Sequence, residues 1–250
     1  MPETLAIDGG TPVRDTEKSP WPAWPANTEQ EWEEEIAPIL KEVYLGHTEG
    51  LPAPVGTRFS QAFAAYCDTA FGIMMPSGTT AIAAALSASL DLDGLADGGE
   101  VIIPNYTFIA TASAPLSVRC SLVLVDIDPV SFTMSPEAVE AAITKQTVAL
   151  LPVHLGGHPA DMDALNAIAK KHELKVIEDC AQAHGAEHKG RKVGSLGHVG
   201  IFSFQSSKNL TSGEGGCLLT SDRDIRDRAW AFRDVGRRPG GERWEYPRLG

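Results

Sequence analysis

The sequence lacks long hydrophobic runs, paired cysteines and an excess of basic residues, and each absence argues against a class of protein. No apolar run in its 250 residues approaches the ~18 residues of a membrane span, so no membrane partner is expected. The four cysteines are scattered without a C-x-x-C pair, which favours reduced, buried thiols over a disulfide or zinc scaffold. A formal net charge of −12 argues against nucleic acid, because phosphate binding needs a basic surface. With no secretory signal pattern either, we expect a cytoplasmic protein.

After residue 58 the sequence alternates between short apolar runs and amphipathic segments. The predicted strands are Gly72–Met75, Val101–Ile103, Leu122–Asp126, Thr147–Val153, Lys175–Glu178, Gly200–Phe204 and Gly216–Thr220. The predicted helices between them are Ser60–Tyr66, Thr79–Leu90, Phe108–Leu116, Pro136–Ile143 and Met162–His172. This alternation indicates an α/β protein with a mainly parallel sheet between two layers of helices. Residues 1–50 are expected to form a Pro- and Trp-rich arm and one helix (Glu29–Leu45), and residues 51–250 the large domain.

Lys208 follows the apolar strand of the segment Val199–Gly216 and lies among Ser and Gly residues. Because ligands of parallel sheets bind beyond the carboxyl ends of the strands, this lysine is expected at a ligand site. Poor solvation would lower its pKa and let the amine attack a carbonyl carbon. The alternative is an ordinary surface lysine in a flexible loop.

Two further strand ends carry features of a phosphate and ring site. Gly78, Thr79 and Thr80 open a helix directly after a strand, where free N–H groups and hydroxyls bind phosphate, although a simple helix cap is the alternative. Ser203, five residues before Lys208, is expected to complete that phosphate site. Phe108 follows another strand and is placed to lie against a planar ligand, unless it is a core residue.

Asp179 ends the strand that begins at Lys175, and a buried carboxylate at this place needs a positive partner. A protonated pyridine nitrogen would supply one, and Gln182 is placed to hydrogen-bond a ring oxygen. His184 and His188 lack a third ligand at metal-binding spacing, so no metal is expected, and neither these two histidines nor His154 is given a role. Together the strand ends supply the functions that a pyridoxal 5′-phosphate pocket requires.

The order of these motifs resembles a known family. The blocks PSGTTAIAAAL, PNYTFIATASAP, PVHLGGHPADMDAL, VIEDCAQAHGA and IFSFQSSKNLTSGEGG are similar to the signature blocks of the DegT/DnrJ/EryC1/StrS sugar aminotransferases. The opening LAIDGGTPVR resembles the branch of glutamine–scyllo-inosose aminotransferases and 3-amino-5-hydroxybenzoate synthases. The resemblance implies a fold-type I, pyridoxal-phosphate-dependent enzyme that works as a cytoplasmic homodimer.

By position, the resemblance implies a role for each candidate residue. Lys208 would bind the cofactor covalently and move the proton, and Asp179 would pair with the pyridine nitrogen. Gln182 would approach the ring oxygen, Phe108 would stack on the ring, and the phosphate would be held by Gly78, Thr79, Thr80 and Ser203. The lysine favours transamination from glutamate or glutamine to a nucleotide-linked keto-sugar or a keto-cyclitol. An aromatising dehydratase like the benzoate synthases and a non-catalytic cofactor-binding homologue stay open as alternatives.

The resemblance also raises an expectation about chain length. Relatives continue beyond the segment that corresponds to Tyr246–Gly250 into a block with a phosphate-binding asparagine and a small C-terminal domain. We therefore expect this chain to be a fragment of a longer protein, the alternative being a shortened homologue.

Overall fold

A computed structural model describes residues 28–46, 54–92 and 97–237, together with Gly10, Thr11, Arg14, residues 17–20 and Pro239. These residues fall in two compact units, one within residues 1–49 and one within residues 50–250, and each is described by itself. Most of the segment 1–27, expected to form an arm, lies outside the described residues. Each helix that the structure describes is too short or too polar to cross a bilayer.

The first unit contains a helix, as the sequence predicts for Glu29–Leu45. It begins with α1 (Glu29–Glu31), continues through a π-helical segment (Trp32–Ile36) and ends with α2 (Ala37–Tyr44). Thr28 and Glu31 form a capping box, in which each side chain accepts a hydrogen bond from the other residue's backbone N–H. The π-helical segment was not predicted.

The second unit is built around a seven-stranded sheet. Its strands are β1 (Phe71–Met75), β2 (Glu100–Pro104), β3 (Ser121–Val125), β4 (Thr147–Leu150), β5 (Lys175–Asp179), β8 (Val199–Ser203) and β9 (Gly216–Thr220). The spatial order is β1-β9-β8-β5-β4-β2-β3, and the pairs from β8 to β3 are all parallel. Only β9 runs against its neighbours β1 and β8. The mainly parallel sheet predicted from the sequence is therefore confirmed.

Helices cover both faces of this sheet. They are α3 (Pro54–Tyr66), α4 (Gly78–Ser89), α5 (Ala110–Ser117), α6 (Pro136–Ala142), α7 (Met162–Lys171) and α8 (Arg223–Arg233). Successive strand residues face opposite layers: Ile103 packs in the cluster with α4, α5 and α8, whereas Ile102 packs in the cluster with α6 and α7. A third cluster joins α3 to β8 and β9 through Phe63 and Phe202, whose rings meet edge to face.

The observed elements differ from the predicted ones in a few places. Strand β4 ends at Leu150 instead of Val153, because Pro152 has no N–H to continue the ladder. Helix α3 begins at Pro54, earlier than the predicted Ser60. Helix α8 and a small antiparallel hairpin, β6 (Glu187–His188) with β7 (Arg191–Lys192), were not predicted.

Candidate functional site

A cavity of about 410 Å³ lies beyond the carboxyl ends of β1, β2, β5 and β8. Its wall contains seven of the eight candidate residues from the sequence: Gly78, Thr79, Phe108, Asp179, Gln182, Ser203 and Lys208. The eighth, Thr80, does not line it. The cavity also contains residues that sequence reasoning missed, including Ser77, Thr107 and Glu214.

The first wall of the cavity is the N-terminus of α4. Ser77 caps this helix by accepting a hydrogen bond from the N–H of Thr80 at 3.1 Å. The Thr80 hydroxyl donates to the Ser77 carbonyl at 2.9 Å and accepts from the Ser77 N–H at 3.1 Å. These bonds occupy Thr80 within the cap, whereas the N–H groups of Gly78 and Thr79 lie in the first turn, which has no intrahelical acceptors. The capped helix considered as an alternative is thus present, with Gly78 and Thr79 facing the cavity.

Glycine makes this wall possible because β8 and β9 pack directly on the helix end. A Cβ at Gly78 would lie 2.8 Å from the Cβ of Ser203, closer than carbon atoms pack. A Cβ at Gly216, the first residue of β9, would overlap the backbone of Ser77. The close approach brings the Ser203 hydroxyl to the start of α4 and forms a concave surface suited to an anion.

Asp179 lies at the end of β5 with 5% of its surface exposed. Its Oδ1 accepts a hydrogen bond from the Ala181 N–H at 3.1 Å, and its Oδ2 accepts one from the Thr111 hydroxyl at 2.9 Å. Burial raises the pKa of Asp179, and the two donors together with the charge of Lys208 act against that rise. The carboxyl group is thus placed to meet a cationic partner in the cavity.

Lys208 lies half-buried in the turn that follows β8. Its backbone N–H donates to the Gln205 carbonyl at 2.9 Å, and the Gln205 side chain accepts bonds from the N–H and the hydroxyl of Ser207 at 2.8 and 2.7 Å. The ammonium group acts electrostatically on Asp179 across the same cavity. The sequence-based hypothesis required these two groups to share one environment, and in the structure they do.

Phe108 and Gln182 complete the walls. Phe108 is 65% exposed, so it is not the core residue considered as its alternative. The side-chain oxygen of Gln182 accepts a hydrogen bond from the Gly156 N–H at 2.8 Å, which turns the amide so that its NH₂ group can donate to a ligand.

The three histidines without an assigned role have structural partners. The ring of His184 bonds the Ser203 carbonyl at 2.8 Å, and burial lowers its pKa. His154 Nδ1 accepts from the Ala160 N–H at 3.0 Å, so its Nε2 carries the proton and donates to Glu178 at 3.0 Å. His188 lies 3.4 Å from the carboxylate of Asp163, which also pairs with Lys189.

Among the described residues, two clusters of side chains bring together atoms of the kinds that bind metal ions. The first joins His154, Glu178 and Cys180, and the second joins Asp161, Asp163 and His188. In the first group both ring nitrogens of His154 are engaged in hydrogen bonds. In the second, Asp161 caps α7 by accepting from the Ala164 N–H. Neither group lines the cavity.

Comparison with known proteins gives a consistent result. The DegT/DnrJ/EryC1/StrS aminotransferase family matches residues 31–250. An L-glutamine:2-deoxy-scyllo-inosose aminotransferase of Streptoalloteichus tenebrarius is 46% identical over 239 residues, which are 95% of this chain and 54% of that relative. An L-glutamine:scyllo-inosose aminotransferase of Streptomyces griseus is 41% identical over 95% of this chain and 54% of its own length. The chain thus spans about half the length of the curated relatives it matches.

Solved structures show the same fold. An aminotransferase from Psychrobacter cryohalolentis aligns with a TM-score of 0.81 and 38% identity, covering 92% of this chain and 59% of the other. A 3-amino-5-hydroxybenzoic acid synthase aligns with a TM-score of 0.81 and 32% identity, covering 92% and 58%. The expected fold-type I architecture is thereby confirmed. With its family match extending over residues 31–250, the chain belongs to the DegT/DnrJ/EryC1/StrS aminotransferase family.

Proposed function

We propose that the protein is a pyridoxal-phosphate-dependent aminotransferase that moves an amino group from glutamine or glutamate to a keto-cyclitol or a nucleotide-linked keto-sugar. The observation that carries this proposal is the cavity that holds Lys208 and Asp179 together with the start of α4. The activities for which the two curated relatives are named favour L-glutamine as donor and a scyllo-inosose as acceptor.

The residues of the cavity fit the cofactor. The close packing that Gly78 and Gly216 permit leaves a concave anion site at a helix N-terminus, as a phosphate requires. The buried Asp179 carboxyl needs a cation, and a protonated pyridine nitrogen is one. Phe108 offers an exposed ring face. When bound, the cofactor accepts the amino group of the donor and then passes it to the acceptor.

Each side chain would then do one task. The Lys208 amine would hold the cofactor's aldehyde carbon and, once released, carry the proton that leaves the α-carbon of the donor. Asp179 would hold the ring nitrogen in its protonated form, while the Gln182 NH₂ group donates to the ring oxygen. Gly78, Thr79 and Ser203 would fix the phosphate, and Phe108 would cover the ring. In this proposal Thr80 supports the helix cap and does not touch the phosphate.

The test is replacement of Lys208 in the purified protein. We expect Lys208→Ala to abolish both amino transfer from L-glutamine to 2-deoxy-scyllo-inosose and the absorption band of the lysine-bound cofactor. Lys145→Ala, a change at an exposed lysine, is the matched control and should keep both. Turnover by Lys208→Ala at the wild-type rate would refute the assignment.

The structural likeness to a 3-amino-5-hydroxybenzoic acid synthase supports a second candidate function, an aromatising dehydratase. Such an enzyme would use the same lysine, so the Lys208 variant does not separate the two. Product analysis does: the transferase yields an amine of the acceptor, whereas the dehydratase yields an aromatic ring and water. A wild-type protein that takes up the cofactor but converts neither substrate class is the non-catalytic homologue.

We also propose that the protein acts as a cytoplasmic homodimer. Tyr106, Phe108 and Ile109 are 57%, 65% and 70% exposed, and Phe108 belongs to the cavity wall. Such a group of exposed apolar side chains is typical of an interaction surface. Sedimentation analysis should give twice the chain mass, and Ile109→Asp should shift the protein toward the monomer. A monomeric wild-type protein at micromolar concentration would refute the dimer.

A further inference from the structure

The Asp179 carboxylate is held from behind the cavity by a residue that does not line it. Thr111, in the first turn of α5, is 1% exposed and places its hydroxyl 2.9 Å from Asp179 Oδ2. The hydroxyl of Thr107 lies 2.9 Å from the hydroxyl of Thr111, and Thr107 itself lies in the cavity wall. The three side chains thus form a continuous line of hydrogen bonds from the cavity wall to Asp179.

The direction of the protons in this line follows from the charge of Asp179. An ionised carboxylate only accepts hydrogen bonds, so Thr111 must donate its one proton to Asp179. The Thr111 oxygen is then free to accept, and Thr107 must be the donor to it. Hydrogen bonds in such a line polarise and strengthen one another, most of all when the final acceptor is charged.

From this geometry we propose that Thr107 and Thr111 are positioning residues, which fix the Asp179 carboxylate toward the ring nitrogen of the cofactor and keep it ionised. The proposal rests on the proposed function, since it assigns the partner of Asp179. It goes beyond that function, because neither threonine was among the candidate residues and Thr111 does not line the cavity.

Burial acts against an ionised Asp179 and therefore against its pairing with a protonated ring nitrogen. Burial raises the pKa of Asp179, and a protonated Asp179 could not hold a protonated ring nitrogen. The counteracting hydrogen bonds come from the Ala181 N–H and the Thr111 hydroxyl, and the charge of Lys208 acts in the same direction. A side-chain replacement cannot remove the N–H of Ala181, so the hydrogen bond from the Thr111 hydroxyl is the one that mutation can test.

The experiment compares Thr111→Val, which replaces the hydroxyl by a methyl group of similar size, with Thr111→Ser, which restores it. Thr133→Val is the matched control, because Thr133 is also buried but bonds Ser131 away from the cavity. In the cofactor-free protein, the side-chain carbon of Asp179 is titrated by ¹³C NMR and assigned with Asp179→Asn. We expect the pKa of Asp179 to be higher still in Thr111→Val, and to return toward wild type in Thr111→Ser.

In the loaded protein, ¹⁵N-labelled pyridoxal phosphate reports the protonation of the ring nitrogen. We expect Thr111→Val to lose the protonated signal at a lower pH than wild type and to bind the cofactor on the order of tenfold more weakly. Thr107→Val should shift both measurements in the same direction by less, and it carries the test if Thr111→Val does not fold.

The possible failures are distinguishable. Equal Asp179 titrations in wild type and Thr111→Val, or a Thr111→Ser variant as impaired as Thr111→Val, would overturn the role of the threonines. A wild-type protein that binds no pyridoxal phosphate would overturn the proposed function and the assigned partner of Asp179 with it.

Discussion

Replacement of Glu178, next to Asp179 in the chain, should destabilise the fold strongly. Its side chain is fully buried, and its two oxygens accept four hydrogen bonds. Oε2 accepts from the Gly194 N–H at 2.8 Å and from His154 Nε2 at 3.0 Å. Oε1 accepts from the N–H groups of Leu196 and Gly197, both at 2.7 Å. The carboxylate thereby fastens the loop between β7 and β8 to β5.

Glu178→Gln keeps the shape but replaces one acceptor oxygen by an NH₂ donor. The remaining oxygen can serve one pair of donors, so the other pair must face NH₂. His154 cannot relieve this by moving its proton to Nδ1, because that nitrogen already accepts from the Ala160 N–H. Two buried donors therefore lose their acceptor, at about 1–3 kcal/mol each. The expected loss of roughly 2–6 kcal/mol is a large part of the 5–15 kcal/mol that stabilises a typical protein.

Urea unfolding and amide hydrogen exchange measure this effect. We expect the urea midpoint of Glu178→Gln to fall by on the order of 1–2 M, and the amides of Gly194, Leu196 and Gly197 to exchange faster. Glu140→Gln is the matched control: Glu140 also bonds a histidine at 3.0 Å, but it is solvent-accessible, and its replacement should cost under about 1 kcal/mol. A Glu178→Gln midpoint equal to that of Glu140→Gln would refute the reasoning.

Three further predictions follow from packing and burial. Gly216→Ala should lower the free energy of unfolding by about 1–3 kcal/mol, because the new Cβ would overlap the backbone at the start of α4. In the control, Gly56→Ala, the nearest atom to the new Cβ is 3.9 Å away, so the melting temperature should be unchanged or higher. Burial lowers the pKa of His184 below 6.5, so as the pH falls the unfolded chain binds a proton at this histidine before the folded protein does, and the free energy of unfolding decreases as the pH drops through 6.5. His184→Asn should flatten this part of the stability–pH curve, and an unchanged slope would contradict the prediction. Burial raises the pKa of the Cys67 and Cys217 thiols to about 12, so Ellman's reagent at about pH 8 should label neither cysteine until denaturant is added. Rapid labelling of these cysteines in the native protein would contradict this prediction.

Periodicity in the sequence predicted most of the sheet, and its failures have physical causes. Buried parallel strands are continuous apolar runs, and each of the seven predicted strands was found. Helix α8 was missed because its sequence RDIRDRAWAFR is dominated by charge, and its buried residues are limited to Ile225, Ala229 and Ala231. The hairpin β6–β7 was missed because two-residue strands carry no period to detect.

The candidate site was predictable to the extent that strand ends meet at one edge of a parallel sheet. That rule placed Asp179, Lys208 and the start of α4 together. It could not show that Thr80 forms a capping box with Ser77, because a threonine shortly after a capping serine is equally consistent with a ligand-binding residue and with a capping residue. Thr111 was equally out of reach, because its partner Asp179 lies 68 residues away in the chain.

Glu178 and Asp179 show why a pair of adjacent acidic residues at a strand end need not act together. Neighbouring side chains of a strand point to opposite faces of the sheet, so these two carboxyl groups enter different surroundings. The side chain of Glu178 receives four donors and lies outside the cavity wall, which leaves it no capacity for a ligand. Asp179 receives two donors and faces the cavity, so each oxygen keeps lone-pair capacity for a further donor. The count of donors, more than burial or residue type, therefore separates the carboxylate that stabilises the fold from the one available to a ligand.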